Sequence, residues 1–488
     1  MEELFQRHFE NKRREFLKGS VLGLGGVALQ SLVGCGSKKP AAKQTMAATE
    51  EINKPLMDPH FQPRAKRVIY LFQSGGPSQM ELFDYKPKLY TMHGQEIPSS
   101  VIGQNRISGM VSNQYSFPLA MPSATFTRHG SNGAYFSEHV PHIASIADDL
   151  CIVKSMFTEQ INHEPAVIFT QTGHQLSGRP CIGSWLSYGL GSMNENLPSF
   201  IVMLSKGGGD QPISNASWSS GFLPSHHQGV QFMSASDPVP YLSNPQGIDR
   251  MDRRRALDFI KQMNRMQNEV WHDAEVESQI NQHEMAYRMQ MAIPSVTDLS
   301  DEPQHILDMY GEDVKKPGTF AYNCIMARRL AEKDVRFIQL YHLGWDHHGA
   351  LFSGIRRATK QTDQASAALV KDLKQRGLLD DTLVIWGGEF GRTSFSQGSL
   401  TPEGFGRDHH PGCYSIWMAG GGVKPGLVYG ETDDFAHNVV NDRVHVHDFQ
   451  ATLMHLMGID HEQFIYKTQG RRYRLTDVSG HVVKGLLA

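Results

Sequence analysis

The sequence predicts an α/β fold with a mostly parallel central sheet flanked by helices. Short apolar runs recur along the 488-residue chain and are closed by turn residues, which is typical of buried strands in a parallel sheet. Segments with helical spacing of apolar residues precede or separate several of these runs, which favours βαβ units. The composition, with 40% hydrophobic and 20% charged residues, excludes fibrous, collagen-like and wholly disordered classes.

Five apolar runs are predicted as strands of this sheet. The first ends in Ser74-Gly75-Gly76-Pro77, a sequence typical of a turn. The five runs are 68–72, 200–204, 335–341, 382–386 and 414–418. Helices are predicted at 320–334 and 358–379, and a shorter one is expected to open at 162–165, where a proline suits the first turn.

The first 35 residues predict an export signal. Arg13 and Arg14 precede a glycine-rich apolar stretch that is shorter than the about 20 residues needed to span a bilayer. A basic segment before a short apolar segment is typical of secretion signals, and paired arginines indicate the twin-arginine translocase as a partner. The lipobox-like sequence Leu-Val-Gly-Cys predicts a lipid on Cys35, hence a membrane-anchored lipoprotein in the periplasm or at the cell surface. The alternative is an amphipathic start of a cytosolic protein.

Two further segments divide the remaining chain. Residues 36–65 are polar with scattered Pro and Ala, which predicts a flexible tether before a folded domain at 66–488. Within that domain, 251–291 is long, polar and helix-prone, which predicts a helical insertion that forms a surface hairpin or a cap. A coiled-coil partner helix is the less favoured interpretation because heptads are not sustained.

Charge and cysteine content argue against two classes of function. The formal net charge of −3 provides no basic field for a nucleic-acid partner. The chain lacks a dinucleotide fingerprint and clustered cysteines, which argues against a redox protein. The four cysteines after Cys35 are widely scattered and are expected to be structural or free, although two disulfides could form.

Histidine is abundant, with 24 residues, and its positions point to a metal site. Three clusters lie beside predicted strands, where ligands bind in open α/β sheets: GWDHHG at 344–349, GEFGRT at 388–393 and GRDHHP at 406–411. Imidazole nitrogen and carboxylate oxygen are ligands of Zn²⁺ and Mn²⁺. The alternative for each cluster is a capped turn with a solvated histidine.

Other candidates come from single positions. Ser78 lies in the turn after the first run, which could bind an oxyanion or be a plain structural turn. His163 lies at the start of the predicted helix, where backbone N–H groups favour an anion. His447 either faces a substrate or helps to cap the helix near Asp448.

The chain resembles an uncharacterised, twin-arginine-exported family that is related to sulfatases within the alkaline phosphatase superfamily. The resemblance extends from about residue 66 to the C-terminus. Besides the loops at 344–349 and 406–411, it rests on GGPSQMELFDYKP at 75–87, SMFTEQINHEPA at 155–166, the segment 369–393 that ends in GEFGRT, and AGGGVKPGLVYGETDD at 419–434.

The resemblance implies an alkaline phosphatase-like fold, one or two divalent metal ions and cleavage of phosphate or sulfate esters. Asp346 and His348 resemble the Asp and His of a superfamily ligand pair. Glu389 lies where a further ligand pair normally follows the next strand, and His409 resembles the late histidine ligand. Asp408, His410 and His347 are second choices for ligands or for residues that support them. The metal could be Zn, Mn or Ca.

Two departures from the sulfatase pattern affect the chemistry. The first strand of the relatives normally ends in a metal-binding Asp, whereas this chain has Gln73-Ser74. His163 occupies the position of the nucleophile, and Val167 replaces an arginine of that motif. Formylglycine chemistry is therefore excluded. His163 could instead be a metal ligand, a general acid/base or a nucleophile.

The leading hypothesis is an exported metal-dependent hydrolase of phosphate or sulfate esters that uses metal-activated water. Arg392 and Arg407 are predicted to contact the anion of a small ester or a sulfated glycan. The alternative is a non-catalytic or sulfated-glycan-binding surface protein that retains the fold.

Overall fold

The computed structural model describes residues 55–103, 107–205, 213–233, 238–239, 242–271, 273–401 and 403–488. The predicted signal at 1–35, including Cys35, and residues 36–54 of the predicted tether lie outside these ranges. Within them, no helix combines the length and the apolar character that crossing a membrane requires.

The largest sheet of the described residues has nine strands in the order β12-β4-β11-β8-β1-β7-β5-β6, with β15 also paired to β4. β11 is antiparallel to both of its neighbours, and the other pairs in this sheet are parallel. The strands are β1 (Arg67–Gln73), β2 (Phe126–His129), β3 (Ala134–Ser137), β4 (Leu150–Phe157), β5 (Phe200–Ser205), β6 (Val230–Phe232), β7 (Phe337–His342), β8 (Thr382–Gly387), β9 (Gly391–Arg392), β10 (His409–His410), β11 (Tyr414–Ala419), β12 (Leu427–Tyr429), β13 (Glu431–Thr432), β14 (Val439–Asn441), β15 (Val444–His445), β16 (Tyr466–Thr468) and β17 (Arg471–Tyr473).

The α-helices of the described residues flank this sheet or lie in its connections. They are α1 (Gln79–Leu82), α2 (Pro87–Thr91), α3 (Ser99–Ile102), α4 (Pro141–Ala144), α5 (His163–Thr172), α6 (Ile182–Leu190), α7 (Arg250–Trp271), α8 (Ala274–Thr297), α9 (Gln304–Tyr310), α10 (Phe320–Glu332), α11 (Leu351–Gln375) and α12 (Val446–Leu456).

The central strand β1 is buried along its whole length because helices cover both faces of the sheet. Its Ile69 and Leu71 join a core cluster with side chains of α10 and α11. Its Val68, Tyr70 and Phe72 join a second cluster with side chains of α6 and α12. This double burial explains why the strand is a continuous apolar run rather than an alternating one.

The predicted fold class is confirmed: the sheet is mostly parallel and flanked by helices, and α7 and α8 form a long helical insertion. The five predicted runs correspond to β1, β5, β7, β8 and β11. The structure adds β4, which the prediction omitted because Lys154 and Ser155 interrupt its apolar pattern. The four described cysteines are free and buried, at positions 151, 181, 324 and 413.

The folded body begins before residue 66, where the sequence placed its start. The backbone N–H groups of Arg64 and Ala65 donate to the carbonyl of Leu456 at 2.8 and 2.9 Å, and that of His60 donates to Gly458 at 2.9 Å. These contacts attach the last residues of the predicted tether to the end of α12.

The buried His342, at the end of β7, predicts a dependence of stability on pH. Burial lowers the pKa of His342 to about 4 from 6.5, so the folded state favours the neutral ring. Its contribution to stability is complete above pH 6.5 and declines as the pH falls toward 4, by about 3 kcal/mol in total. We expect urea unfolding of His342→Gln to lose this part of the pH dependence. Parallel pH profiles for the variant and the wild type would contradict the prediction.

Candidate metal centre

Four side chains converge at the carboxyl edge of the central strands: His163, Asp346, His348 and His409. One ligand atom from each lies within 4.8 Å of the others. His163 is the first residue of α5, Asp346 and His348 lie in the loop after β7, and His409 is in β10. The four were all singled out from the sequence, and the structure brings them together.

The carboxylate of Asp346 lies at the centre of this group. Its Oδ2 is 3.1 Å from Nε2 of His163, and its Oδ1 is 2.8 Å from Nε2 of His348 and 3.3 Å from Nε2 of His409. The Nε2 atoms of His348 and His409 are 3.0 Å apart. Three imidazole nitrogens and a carboxylate therefore point at a common region.

The other ring nitrogen of each histidine is engaged on the outer side. Nδ1 of His163 donates to Oε1 of Glu389 at 2.6 Å, and Nδ1 of His409 donates to the carbonyl of Ile161 at 2.7 Å. Nδ1 of His348 contacts Oε1 of Gln397. Because a carboxylate and a carbonyl only accept, the rings of His163 and His409 would present an Nε2 lone pair inward in their neutral form.

This donor set fits a divalent cation. Metal-bound histidines typically donate their second N–H to a carboxylate or a backbone carbonyl, as His163 and His409 do here. The Nε2 atoms of His348 and His409 lie 3.0 Å apart, and a shared cation would take the place of the proton that otherwise lies between them. The described residues thus contain a possible His/Asp metal site.

Without an ion, protons occupy the same region. Burial raises the pKa of Asp346, but hydrogen bonds from the three histidines outweigh it and hold the pKa far below its ordinary value. Burial lowers the pKa of His163, whereas its bonds to Asp346 and Glu389 raise it, with a net value of about 9. A cation would therefore compete with a proton on His163 at neutral pH.

Glu389 lies behind His163, whereas the sequence suggested that it ligates the metal. The side chain is fully buried, and its Oε1 accepts from Nδ1 of His163 and from the backbone N–H of Gly75 at 3.0 Å. The contact that the structure shows is therefore one that fixes the orientation of the histidine ring.

We expect Glu389→Gln to weaken binding of the metal by roughly 10–100-fold, the cost typical of losing a partner behind a ligand. A chelator-competition titration measures this directly. Complete loss of binding in a folded variant would instead indicate that Glu389 is itself a ligand.

The turn after β1 contacts the Asp346 loop and Arg392 through its backbone, where the relatives were expected to place a carboxylate. Gly75 has a φ of +116°, and a Cβ there would lie 2.6 Å from the backbone nitrogen of Asp346. The carbonyls of Gly75 and Gly76 accept from the guanidinium of Arg392. The glycine turn that replaces the expected Asp therefore packs directly against the Asp346 loop.

Arg392 orients Asp346, whereas the sequence suggested contact with a substrate anion. Its Nη2 lies 2.5 Å from Oδ1 of Asp346, its Nη1 donates to the carbonyl of Arg407 at 3.1 Å, and the side chain is 2% exposed. The donors of Arg392 are thus bound to four oxygens of the protein itself.

Arg407 is not brought to the cluster. It is fully buried, its Nε donates to Oε1 of Glu81 at 3.0 Å, and its Nη1 and Nη2 donate to the carbonyls of Thr393 and Ala120, both at 2.9 Å. The guanidinium therefore joins Glu81 and the segment at 393 to the segment at 120.

The second-choice residues have other contacts. Asp408 accepts from Oγ of Ser108 and from the N–H of His409. His410 donates to the carbonyl of His437 at 2.6 Å, and the ring of His347 packs against Gly354.

Ser78 and His447 are not among the four converging side chains. Ser78 is the buried N-cap of α1. His447 donates to the carbonyl of Gly173 at 3.0 Å, at the far end of α5.

Sequence reasoning missed three contributors. Gln397 and the carbonyl of Ile161 hold two of the histidines, and the Phe390 ring lies 4.9 Å from that of His163 and 4.7 Å from that of His409. Only Phe390 carried a signal, because it follows Glu389 within the GEFGRT loop.

Similar solved structures include a phosphonate monoester hydrolase and a sulfatase. The phosphonate monoester hydrolase is from Silicibacter pomeroyi (10% identity, 72% of both chains, TM-score 0.30). The sulfatase PsFucS1 from Pseudoalteromonas sp. is 12% identical over 82% of this chain and 69% of its own, with a TM-score of 0.33. A protein in the alkaline phosphatase superfamily from Vibrio parahaemolyticus is 11% identical over 86% and 76%, with a TM-score of 0.32.

A comparison with curated proteins finds no match. A family match covers nearly all of the folded body, from residue 65 to residue 487. The chain belongs to this family, the proteins of unknown function DUF1501.

Proposed function

We propose that the protein is an exported, metal-dependent hydrolase of phosphate or sulfate esters. The observation that carries the proposal is the convergence of three imidazole Nε2 atoms on the carboxylate of Asp346, each ring fixed from behind. His163, Asp346, His348 and His409 would hold the ion. A nitrogen-rich set of this kind favours Zn²⁺ or Mn²⁺ over Ca²⁺, which takes oxygen ligands.

In this proposal some residues bind the ion, and others fix the orientation of the residues that bind it. When bound, a divalent ion supplies the positive charge that polarises an ester oxygen and lowers the pKa of water. Glu389 fixes the orientation of the His163 ring, and Arg392 fixes that of the Asp346 carboxylate. The ring and the carboxylate therefore do not have to reorganise during the reaction. The side chains of Asp346 and His348 are 19% and 20% exposed, so the cluster is open to a substrate on that side.

The hydrogen-bond partners of the four side chains favour a hydrolase that does not form a covalent bond to its substrate. Within the described part of the chain, their partners are Glu389, Gln397, Arg392 and Ile161, together with one another, and include no hydroxyl or thiol. Attack by water suits this arrangement. The same observation favours the second candidate, a surface protein that binds a sulfated glycan without turnover.

A screen of chromogenic phosphate, phosphonate and sulfate esters separates the two candidates. Chelated protein is assayed with added Zn²⁺, Mn²⁺ or Ca²⁺, and with His409→Gln as a blank. We expect metal-dependent turnover that His409→Gln lacks. Full metal loading without turnover, alongside saturable binding of a sulfated oligosaccharide, would contradict the hydrolase and support the binding protein.

The proposed location follows from the export signal and the lipobox-like Cys35. In this proposal the twin-arginine translocase exports the chain, and a lipid on Cys35 anchors it outside the cytoplasmic membrane. Replacing Arg13 and Arg14 by Lys is expected to retain the protein in the cytoplasm. Unchanged export of that variant would contradict the twin-arginine route.

A further inference from the structure

The long helix α7 packs on the protein with its polar side. From Arg250 to Glu269, where the burial of α7 is described, one of the half-buried residues is apolar: Asp252, Arg253, Arg254, Leu257, Lys261, Asn264 and Asn268. Arg254 donates to Glu284 of α8 at 2.7 Å, and its guanidinium lies 5.0 Å from the centre of the Tyr287 ring. Lys261 lies 3.6 Å from Glu284. Ion pairs and a cation–π contact thus attach α7 to α8.

The apolar side of α7 faces solvent. Phe259 is 44%, Met263 54% and Met266 62% exposed, and Ala256 and Ile260 beside them are exposed as well. An amphipathic helix ordinarily turns its apolar stripe toward the core. A stripe turned outward on a helix anchored by its charges indicates a surface that a partner covers.

The spacing of this stripe fits a second helix. Ala256, Phe259, Met263 and Met266 follow intervals of three, four and three residues, which are the a and d positions of a heptad. Only about two heptads are present, which is enough for a short helix–helix seam. We propose that α7 pairs with α7 of a second copy of this chain in antiparallel orientation, which makes the protein a homodimer.

Charge complementarity selects the partner and the orientation. Arg255 and Glu269 flank the stripe on the same side. The side chain of Arg255 is 73% exposed, and within the described ranges its one ion pair is with Asp252, at 3.6 Å. In an antiparallel pair, Arg255 of each copy faces Glu269 of the other, and Phe259 faces Met263. A parallel pair would instead bring the arginine-rich starts of both helices together.

The seam between the two helices would be small. A helix of 22 residues is about 33 Å long, and contact along it would bury on the order of 1,000 Å² in total, the lower limit for a specific interface. The dimer is therefore expected to dissociate in roughly the micromolar range.

Sedimentation velocity of the full-length protein over about 1–100 μM tests the proposal. We expect a concentration-dependent dimer that Met263→Glu converts to monomer, while Met291→Glu, at an equally exposed methionine of α8, leaves it unchanged. Arg255→Glu and Glu269→Arg should each weaken the dimer by about tenfold or more, and the two together should restore it.

Three results would overturn the proposal. One is a monomer at every concentration, and another is a dimer that Met263→Glu does not affect. Failure of the double charge reversal to restore a weakened dimer would exclude the antiparallel pair. Binding of a monomer to vesicles of phosphatidylglycerol and phosphatidylethanolamine, lost in Met263→Glu, would assign the stripe to a membrane instead.

Discussion

A His409→Gln variant is expected to lose its divalent ion, with a fall in affinity beyond the about 10–100-fold that loss of an outer partner costs. The ring of His409 contributes one of three Nε2 atoms around Asp346, and its Nδ1 is fixed by the carbonyl of Ile161. A glutamine can occupy the space but cannot present a nitrogen lone pair there. Metal content by elemental analysis and chelator competition measures the loss.

The adjacent histidine provides a matched control. His410 is as buried as His409 and lies in the same two-residue strand β10, but its Nε2 bonds the carbonyl of His437. His410→Gln should therefore keep the ion even if it loses stability. Equal loss of metal from the two variants would contradict the assignment, since it would show a general response to damage in β10.

An Arg407→Met variant is expected to lose about 3–5 kcal/mol of the free energy of unfolding. The substitution leaves the carboxylate of Glu81 buried without its cation and leaves the carbonyls of Thr393 and Ala120 without their donors. The loss follows from burial alone and does not involve the metal site. Urea unfolding of both proteins measures it.

A double variant distinguishes the buried charge from the missing packing. Glu81→Gln/Arg407→Met removes the uncompensated carboxylate, so it should be less destabilised than Arg407→Met. An Arg407→Met protein with unchanged stability but weakened binding of an anionic ester would restore the role of Arg407 in substrate binding.

Local sequence patterns predicted most of the sheet because strands buried on both faces are continuous apolar runs. They did not predict the direction of β11, since strand orientation depends on pairing with β4 and β8 rather than on the residues of β11. β4 was missed for a related reason. Its Lys154 reaches Asp84, 70 residues away, so a charged residue is satisfied within a strand of the main sheet.

The convergence of Asp346, His348 and His409 was predictable from their positions beside predicted strands and from the resemblance, whereas His163 was singled out at a helix start with its role left open. Asp346 and His348 reach the cluster while His347 between them does not, and His409 reaches it while His410 does not. In the strand β10, successive side chains point to opposite sides, which separates His409 from His410. The partners behind the ligands were not predictable, because the contact of Glu389 with His163 joins residues 226 positions apart.

The metal content of the purified full-length protein is the most direct test of the site. Elemental analysis of protein dialysed against metal-free buffer, then loaded in turn with Zn²⁺, Mn²⁺ and Ca²⁺, should find about one divalent ion per chain with at least one of them. The same measurement on Asp346→Ala should find almost none. Folded wild-type protein that contains no metal and retains none of the three ions would contradict the account.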